Sequence, residues 1–247
     1  MVCLQFGTAV RYESRMVPPS KSQNVQKLFG RIARRYDLAN HLLSGGFDFF
    51  WRRRAVQVVR SWHPSRILDL ATGSGDLALS LRAACPRSLV VGADFCEPML
   101  MEARRKGFSN LVTADALRMP FADGSFDVVV VGFGLRNMDP HTGALREMAR
   151  VLRPGGHLLV LDFSLPPAPW RTPYRLYLHR VLPRIAGWVS GEKAAYDYLA
   201  ESIEEFPSGA AMCQLIETSG FGDARCQPLT GGIVSLYTAS RREPSPA

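Results

Sequence analysis

No apolar run in this sequence approaches the roughly 18 residues of a membrane span; the longest block is VVVVGF, Val128 to Phe133. The first fifteen residues, MVCLQFGTAVRYESR, carry neither a basic n-region nor a continuous apolar stretch, so they do not form a secretory signal. Cysteine is scarce: the five residues, at 3, 85, 96, 213 and 226, include no CxxC pair, and no His stands at a metal-ligand spacing. This argues against a disulfide framework and against any metal, and a reducing, cytoplasmic compartment is expected. Internal repeats and low-complexity tracts are also missing. At 47% hydrophobic and 21% charged, the 247-residue chain is of an ordinary globular kind and large enough to bury one sizeable core.

Acidic residues are rare in one place. Between Lys27 and Arg66 there are nine basic residues and two acidic ones, Asp37 and Asp48, a local surplus of +7 within a net charge of +8. Clustered Lys and Arg are drawn to anionic surfaces whatever their sequence, so charge alone leaves lipid and nucleic acid equally open.

From Arg66 onward, strand-length apolar runs alternate with amphipathic stretches. RILDLA (66–71) precedes DLALSLRAA (76–84), SLVVGAD (88–94) precedes PMLMEARRK (98–106), and LVTAD (111–115) precedes a turn. VVVVG (128–132) precedes HTGALREMARVL (141–152), and HLLVLDF (157–163) closes the series. Continuous Val/Leu runs between helical patterns predict an α/β fold with a doubly wound parallel sheet, covered on both faces. Residues 164–208, rich in Pro and aromatics, break the rhythm as an insertion over the sheet's edge. A helix over 209–221 and two strands, ARCQPL (224–229) and IVSLYTAS (233–240), joined by TGG, predict a terminal antiparallel hairpin. Ahead of the sheet, residues 22–43 and 47–62 have helical spacing, interrupted by Gly45 and Gly46, and read as N-terminal helices forming a lid. The expected organisation is a flexible leader (1–22), a single domain (23–240) and a disordered tail (241–247). Within the domain, 23–63 is the lid, 64–163 the cofactor-binding core, 164–208 a substrate-side insertion and 209–240 the closing helix and hairpin.

In LDLATGSGDLA (68–78) a strand runs into a glycine-rich turn that opens a helix. Gly73, Gly75 and Ala78 satisfy GxGxxA, and Asp94 ends the second strand where a ribose diol would lie, so a nicotinamide or flavin dinucleotide is one reading. Asp69, at the tip of the first strand, weighs against it. A carboxylate there repels a pyrophosphate but suits the sulfonium and ammonium groups of S-adenosylmethionine. Asp115, followed by Ala116 after the third strand, can accept from an adenine amino group.

The segment YDLANHLLSGGFDFFW (36–51), with Tyr36, Asp37, Asn40, Ser44 and Trp51 in register, VGFGLRNM (131–138) and RVLRPGGHLLVLDFS (150–164) resemble the ubiquinone/menaquinone biosynthesis C-methyltransferase family. YDYLAESI (196–203) and LTGGIVSLY (229–237) extend the resemblance, which runs from about Gln23 to Tyr237. The chain departs from the family pattern at Ala39, Asp48, Arg153 and Asp162, where Met, His, Lys and Glu are usual. Residues 1–15 have no counterpart, which makes Met16 the expected start.

The resemblance implies a class I methyltransferase fold: a Rossmann-like seven-stranded sheet with the hairpin and N-terminal helices. It also implies S-adenosylmethionine as cofactor, a prenylated quinol as substrate, of the menaquinone or the ubiquinone pathway, and methyl transfer to a ring carbon. The carbon is a weak nucleophile until a neighbouring hydroxyl gives up its proton. Asp69, Gly73, Ser74, Gly75, Asp94, Asp115, Ala116 and Gly132 are expected around the cofactor. Arg136 and Asn137 are expected at the reacting ring, where Arg136 can stabilise the quinolate or order a water that takes the proton. Tyr36, Asp37, Asn40, Tyr196 and Tyr198 are expected to shape the quinol pocket. His41 and His179 are conceivable bases, and the residues do not choose between them. Rival readings are a methyltransferase of another small molecule or of RNA, a dinucleotide-dependent oxidoreductase and a non-catalytic accessory protein. No nucleic-acid-binding motif and no aromatic-basic interleaving of the stacking-platform type supports RNA. A homo-oligomer is neither required nor opposed by the sequence. Because the implied substrate carries a membrane-embedded tail, the Arg-rich stretch with Phe47, Phe49, Phe50 and Trp51 predicts peripheral attachment to an anionic membrane surface.

Overall fold

The computed structural model describes residues 44–184 and 193–243, without the side chains of residues 193–196. The helix expected over 22–43, with Tyr36, Asp37, Asn40 and His41, lies outside the described residues, as do Met16 and the last four residues.

Seven strands form one sheet in the order β3-β2-β1-β4-β5-β7-β6. They are β1 (Arg66–Leu70), β2 (Leu89–Asp94), β3 (Leu111–Thr113), β4 (Phe126–Gly132), β5 (Leu152–Phe163), β6 (Phe221–Leu229) and β7 (Val234–Arg241). The first five run parallel. β7 enters antiparallel beside β5, and β6 closes the edge as its hairpin partner. The helices are α1 (Phe47–Ser61), α2 (Asp76–Ala84), α3 (Glu97–Arg105), α4 (His141–Val151), α5 (Arg171–Leu176), α6 (Lys193–Glu205) and α7 (Ala210–Thr218).

Period-two alternation along the central strands divides the core into two layers. Leu68, Leu70, Val129, Val131, Leu158 and Val160 pack with Ala144, Leu145 and Met148 of α4 and with Met212 and Ile216 of α7. Ile67, Val128, Val130, Leu159 and Leu161 pack on the other face, against Leu77, Ala78 and Leu81 of α2 and Trp51, Ala55, Val56 and Val59 of α1. The spacing of those four α1 residues, with Arg53, Gln57 and Arg60 turned to solvent, is why this Arg-rich segment is helical.

Most expected elements appear within three residues of their predicted ends. The exception is β5, which begins at Leu152 instead of 157; the edge strand begins at Phe221, three residues ahead of its expected start. In β5, Phe126 pairs with Leu152 and Val128 with His157, so RPGG is accommodated as a bulge inside the pairing. Residues 164–208 hold α5, which runs into a π-helical turn over Tyr177–Val181, and α6. Leu178, Leu182, Ala200 and Ile203 form a small core of their own with Phe163, Leu165 and Tyr174 against it. This places the segment beyond the carboxyl ends of β4 and β5.

Candidate active site

The strand order reverses between β1 and β4, and the crevice beyond their carboxyl ends is where an open parallel sheet binds its ligand. The backbone is unusual there. Ala71 and Phe133, one past each strand's end, both have positive φ (56° and 59°), a conformation rarely adopted outside glycine. The two turns touch: a Cβ added to Gly134 would lie 2.5 Å from the Ala71 Cβ, so glycine alone lets them meet.

The resulting cleft is lined by Asp69, Gly73, Ser74, Asp94, Asp115, Ala116 and Gly132, seven of the eight residues expected around a cofactor, and by Asn137. Gly75 is set back. It has φ +82° and a Cβ there would fall 2.9 Å from that of Ala103, so its part is to let α2 lie close to α3. Sequence reasoning missed Arg52, Thr72, Asp76, Met99, Phe133 and Asp139, which also line the cleft. Thr72 and Asp76 adjoin the glycine turn and were findable by proximity; Arg52 and Asp139 come from other elements and left no local signal.

Both oxygens of Asp94 accept backbone N–H groups, Oδ2 from Gly73 at 2.8 Å and Oδ1 from Cys96 at 2.8 Å. Burial raises its pKa while these donors oppose the rise. Each oxygen keeps a lone pair for a diol. Asp115 is exposed, and its Oδ1 accepts the Leu117 N–H at 2.9 Å, fixing the turn after β3.

Asp69 is buried, with 1% of its surface exposed. Its Oδ2 accepts the Thr72 hydroxyl at 2.6 Å, whereas its Oδ1 has no hydrogen-bond partner among the described residues. Burial, with the Thr72 hydrogen bond opposing it and the Asp94 charge adding to it, pushes its pKa up to about 7. An unpartnered buried carboxylate oxygen is costly, and a cation in the cleft would relieve it. Five Asp and one Arg, Arg52, are the charged residues of the described lining. That balance disfavours a pyrophosphate and fits S-adenosylmethionine, whose sulfonium and ammonium outweigh its single carboxylate.

Arg136 does not line the cleft. The short 3₁₀ turn Leu135–Asn137 sends its guanidinium toward Asp162 and Phe163. There Nη1 donates to Asp162 Oδ1 at 2.8 Å and to the Phe133 carbonyl, and the guanidinium carbon lies 5.3 Å from the centre of the Phe163 ring. Asp162 also accepts the Arg136 and Phe163 backbone N–H groups, at 3.2 and 2.9 Å. The pair is buried, side-chain exposures being 3% and 0%, and such a pair is maintained only with its hydrogen bonds complete.

Above Arg136 lies an aromatic wall. Phe133, Phe163 and Trp51 pack together at centroid separations of 4.9 to 6.1 Å, and the Trp51 indole N–H donates to the Thr230 hydroxyl at 2.7 Å. The Tyr198 hydroxyl donates to Asn137 Oδ1 at 3.0 Å, joining two residues expected at the substrate. Tyr174 and Tyr177 stack at 6.3 Å, and burial raises both their pKa values and that of Tyr198, with the Arg136 charge opposing the rise at Tyr174 and Tyr198. These phenols therefore stay protonated. Tyr196 belongs to α6, its side chain outside the described residues. His179 sits at the surface, 3.1 Å from Glu204, away from the cleft.

Residues 18–241 match the model of the ubiE/COQ5 methyltransferase family. The chain is 48% identical over 220 residues to a demethylmenaquinone methyltransferase of Thermus thermophilus, covering 87% of this chain and 100% of that protein. It is 46% identical over 228 residues to the ubiquinone/menaquinone biosynthesis C-methyltransferase UbiE of Syntrophotalea carbinolica, covering 90% and 96%. Among solved structures, a SAM-dependent methyltransferase of Thermotoga maritima shares the fold at a TM-score of 0.61 and 17% identity, over 87% of this chain and 99% of that one.

Proposed function

The chain belongs to the ubiE/COQ5 methyltransferase family, and from that premise we propose how its residues divide the work of methylating a prenylated quinol at a ring carbon, with demethylmenaquinol as the acceptor. S-adenosylmethionine supplies an electrophilic methyl group and keeps the C–S electron pair, while the ring gives up one proton as the new C–C bond forms. Asp69 faces the cofactor's cationic end, Asp94 its ribose, and Asp115 and Ala116 its adenine. Arg136, held by Asp162, stabilises the oxyanion that drives electrons into the ring, and Asn137 and Tyr198 fix the acceptor's hydroxyl edge. Tyr36, Asp37, Asn40 and Tyr196 complete the quinol pocket in this reading.

One observation carries it: Phe133 belongs to both sides, lining the acidic cleft and packing in the aromatic wall above Arg136. Phe133 therefore borders both the place proposed for the methyl group and the place proposed for the flat ring. The test is transfer of labelled methyl from S-adenosylmethionine to demethylmenaquinol carried in vesicles. Label in the extracted quinone supports the reading; label retained in the aqueous phase refutes it.

The acceptor's tail calls for work at a membrane. Among the described residues no helix is long and apolar enough to cross one. Phe47, Phe49 and Phe50 on α1 are 52 to 61% exposed. Trp170 is 67% exposed, and Leu176 and Val181 near it in sequence are also bare. Arg171, Arg175, Arg180 and Arg184 alternate with them at the surface. Exposed aromatic and basic side chains in one segment suit the headgroup boundary. This second basic-aromatic segment supports peripheral attachment beside the N-terminal one. Sedimentation with anionic but not neutral vesicles, weakened by salt, is expected; equal indifference to both refutes it.

A further inference from the structure

Arg52 stands apart from the rest of the basic stretch. Where Arg53 and Arg60 face solvent, Arg52 is the one Lys or Arg among the described residues lining the cleft, and its side chain is 15% exposed. Two carboxylates grip it. Nη2 lies 3.1 Å from Asp48 Oδ2, one helical turn back on α1, and Nη1 donates at 3.0 Å to Asp76 Oδ2, the first residue of α2. Those carboxylates are themselves fixed. Asp48, 3% exposed, accepts the Ser44 hydroxyl at 2.8 Å, and Asp76 pairs with Lys106 at 2.5 Å, whose ammonium also reaches the Ser74 hydroxyl. The two contacts use two of the guanidinium's five N–H donors. The Arg52 charge is close enough to Asp69 to lower that carboxyl's pKa against the effect of burial.

A ligand with a cationic sulfonium and an α-amino acid end must place one carboxylate in a cleft whose other charged lining residues are all Asp. That group needs a counter-ion. We infer that Arg52 is the counter-ion and hydrogen-bond donor for the carboxylate of the cofactor's methionine moiety, pre-oriented by Asp48 and Asp76. The inference rests on the cofactor reading above and adds a ligand from outside the glycine turn. It also accounts for Asp48, where the family usually has His: an anion beneath Arg52 keeps its fork aimed into the cleft. Because Arg52 follows Trp51 in sequence, the helix that carries the acceptor's aromatic wall also carries the cofactor's counter-ion.

The experiment compares two ligands by calorimetry in the absence of any quinol: S-adenosylmethionine and decarboxylated S-adenosylmethionine, which lacks only the carboxylate. The wild-type protein should prefer the carboxylated ligand, and Arg52→Ala should shrink that preference roughly ten- to hundredfold, the range of a charge-assisted hydrogen bond. Arg52→Gln, which keeps the packing of the side-chain stem, should do the same. Equal weakening for both ligands would make Arg52 structural and overturn the inference, as would an unchanged preference. Failure of the wild-type protein to bind S-adenosylmethionine would instead sink the cofactor reading itself.

Discussion

In the acidic cleft, polar contacts run within and between neighbouring βα units: Thr72 to Asp69 spans three residues, Cys96 to Asp94 two, Gly73 to Asp94 twenty-one and Arg52 to Asp76 twenty-four. Around the aromatic wall the longest of them reach farther. Arg136 to Asp162 spans 26 residues, Tyr198 to Asn137 61, and Trp51 to Thr230 179. The first is mostly strand ends and turn residues, joined by Arg52 of α1; the second is side chains brought together by the whole fold. The first is built largely by local geometry, and its chemistry can be altered one residue at a time. The second depends on α1, the β6–β7 turn and the segment after β5 all docking correctly.

If the two sides are separable, the largest effect belongs to Arg136→Ala. Turnover should fall by about 10²- to 10³-fold, the range for removing a donor to a developing oxyanion, while calorimetric affinity for S-adenosylmethionine stays within about twofold. The variant strands Asp162 in the core, so the unfolding midpoint should also drop, by an amount corresponding to ~3–5 kcal/mol. Arg136→Lys, which leaves Asp162 a counter-ion, should fold better yet remain slow because it lacks the planar fork. Equal loss of cofactor affinity and turnover would break the division.

A smaller effect is expected at Asp69, and its sign is pH-dependent. Burial pushes its carboxyl pKa from the ordinary 3.8 up to about 7 in the folded state. The folded protein thus binds more protons across that interval, and ligand-free stability falls as pH rises from about 4 to about 7. Asp69→Asn removes the buried charge, so at pH 8 it should unfold later than the parent, by up to ~4 kcal/mol. The cofactor's cations favour the ionised carboxylate, so parent affinity should strengthen as pH rises through about 7, and Asp69→Asn should flatten that profile with roughly tenfold weaker binding at pH 8. Thermal unfolding and calorimetry over the same pH series check both.

Tyr198→Phe is the mildest. It removes one hydrogen bond to Asn137, about 1 kcal/mol, and should raise KM for the quinol about fivefold without moving cofactor affinity.

The same contrast explains what the sequence disclosed. The sheet was legible because the Val/Leu runs are buried on both faces and the glycine turn is punctuated by residues with one conformational use. Asp69 and Asp94 were legible because strand ends fix where their side chains go. Gly75 was expected at the cofactor with the rest of its turn; that a side chain there would meet Ala103 at 2.9 Å is a packing fact no local pattern carries. Arg52 could not be told from its neighbours in the Arg-rich stretch, since which of them lines the cleft is set by α1 docking on α2. The direction of Arg136 was hidden for a related reason, because Asp162, its partner, reads as the end of a buried strand. Tyr174 and the basic-aromatic stretch around it fell in a segment without periodicity, where no pattern tells a wall from a loop.

We propose that the acidic cleft and the Arg136-floored aromatic wall, which share Phe133, serve transfer of a methyl group to a ring carbon. The most direct test uses S-adenosylmethionine carrying a carbon-13 methyl group, demethylmenaquinol in vesicles, and nuclear magnetic resonance of the extracted product. A methyl signal bonded to ring carbon is predicted; a methyl ether on oxygen would contradict the account.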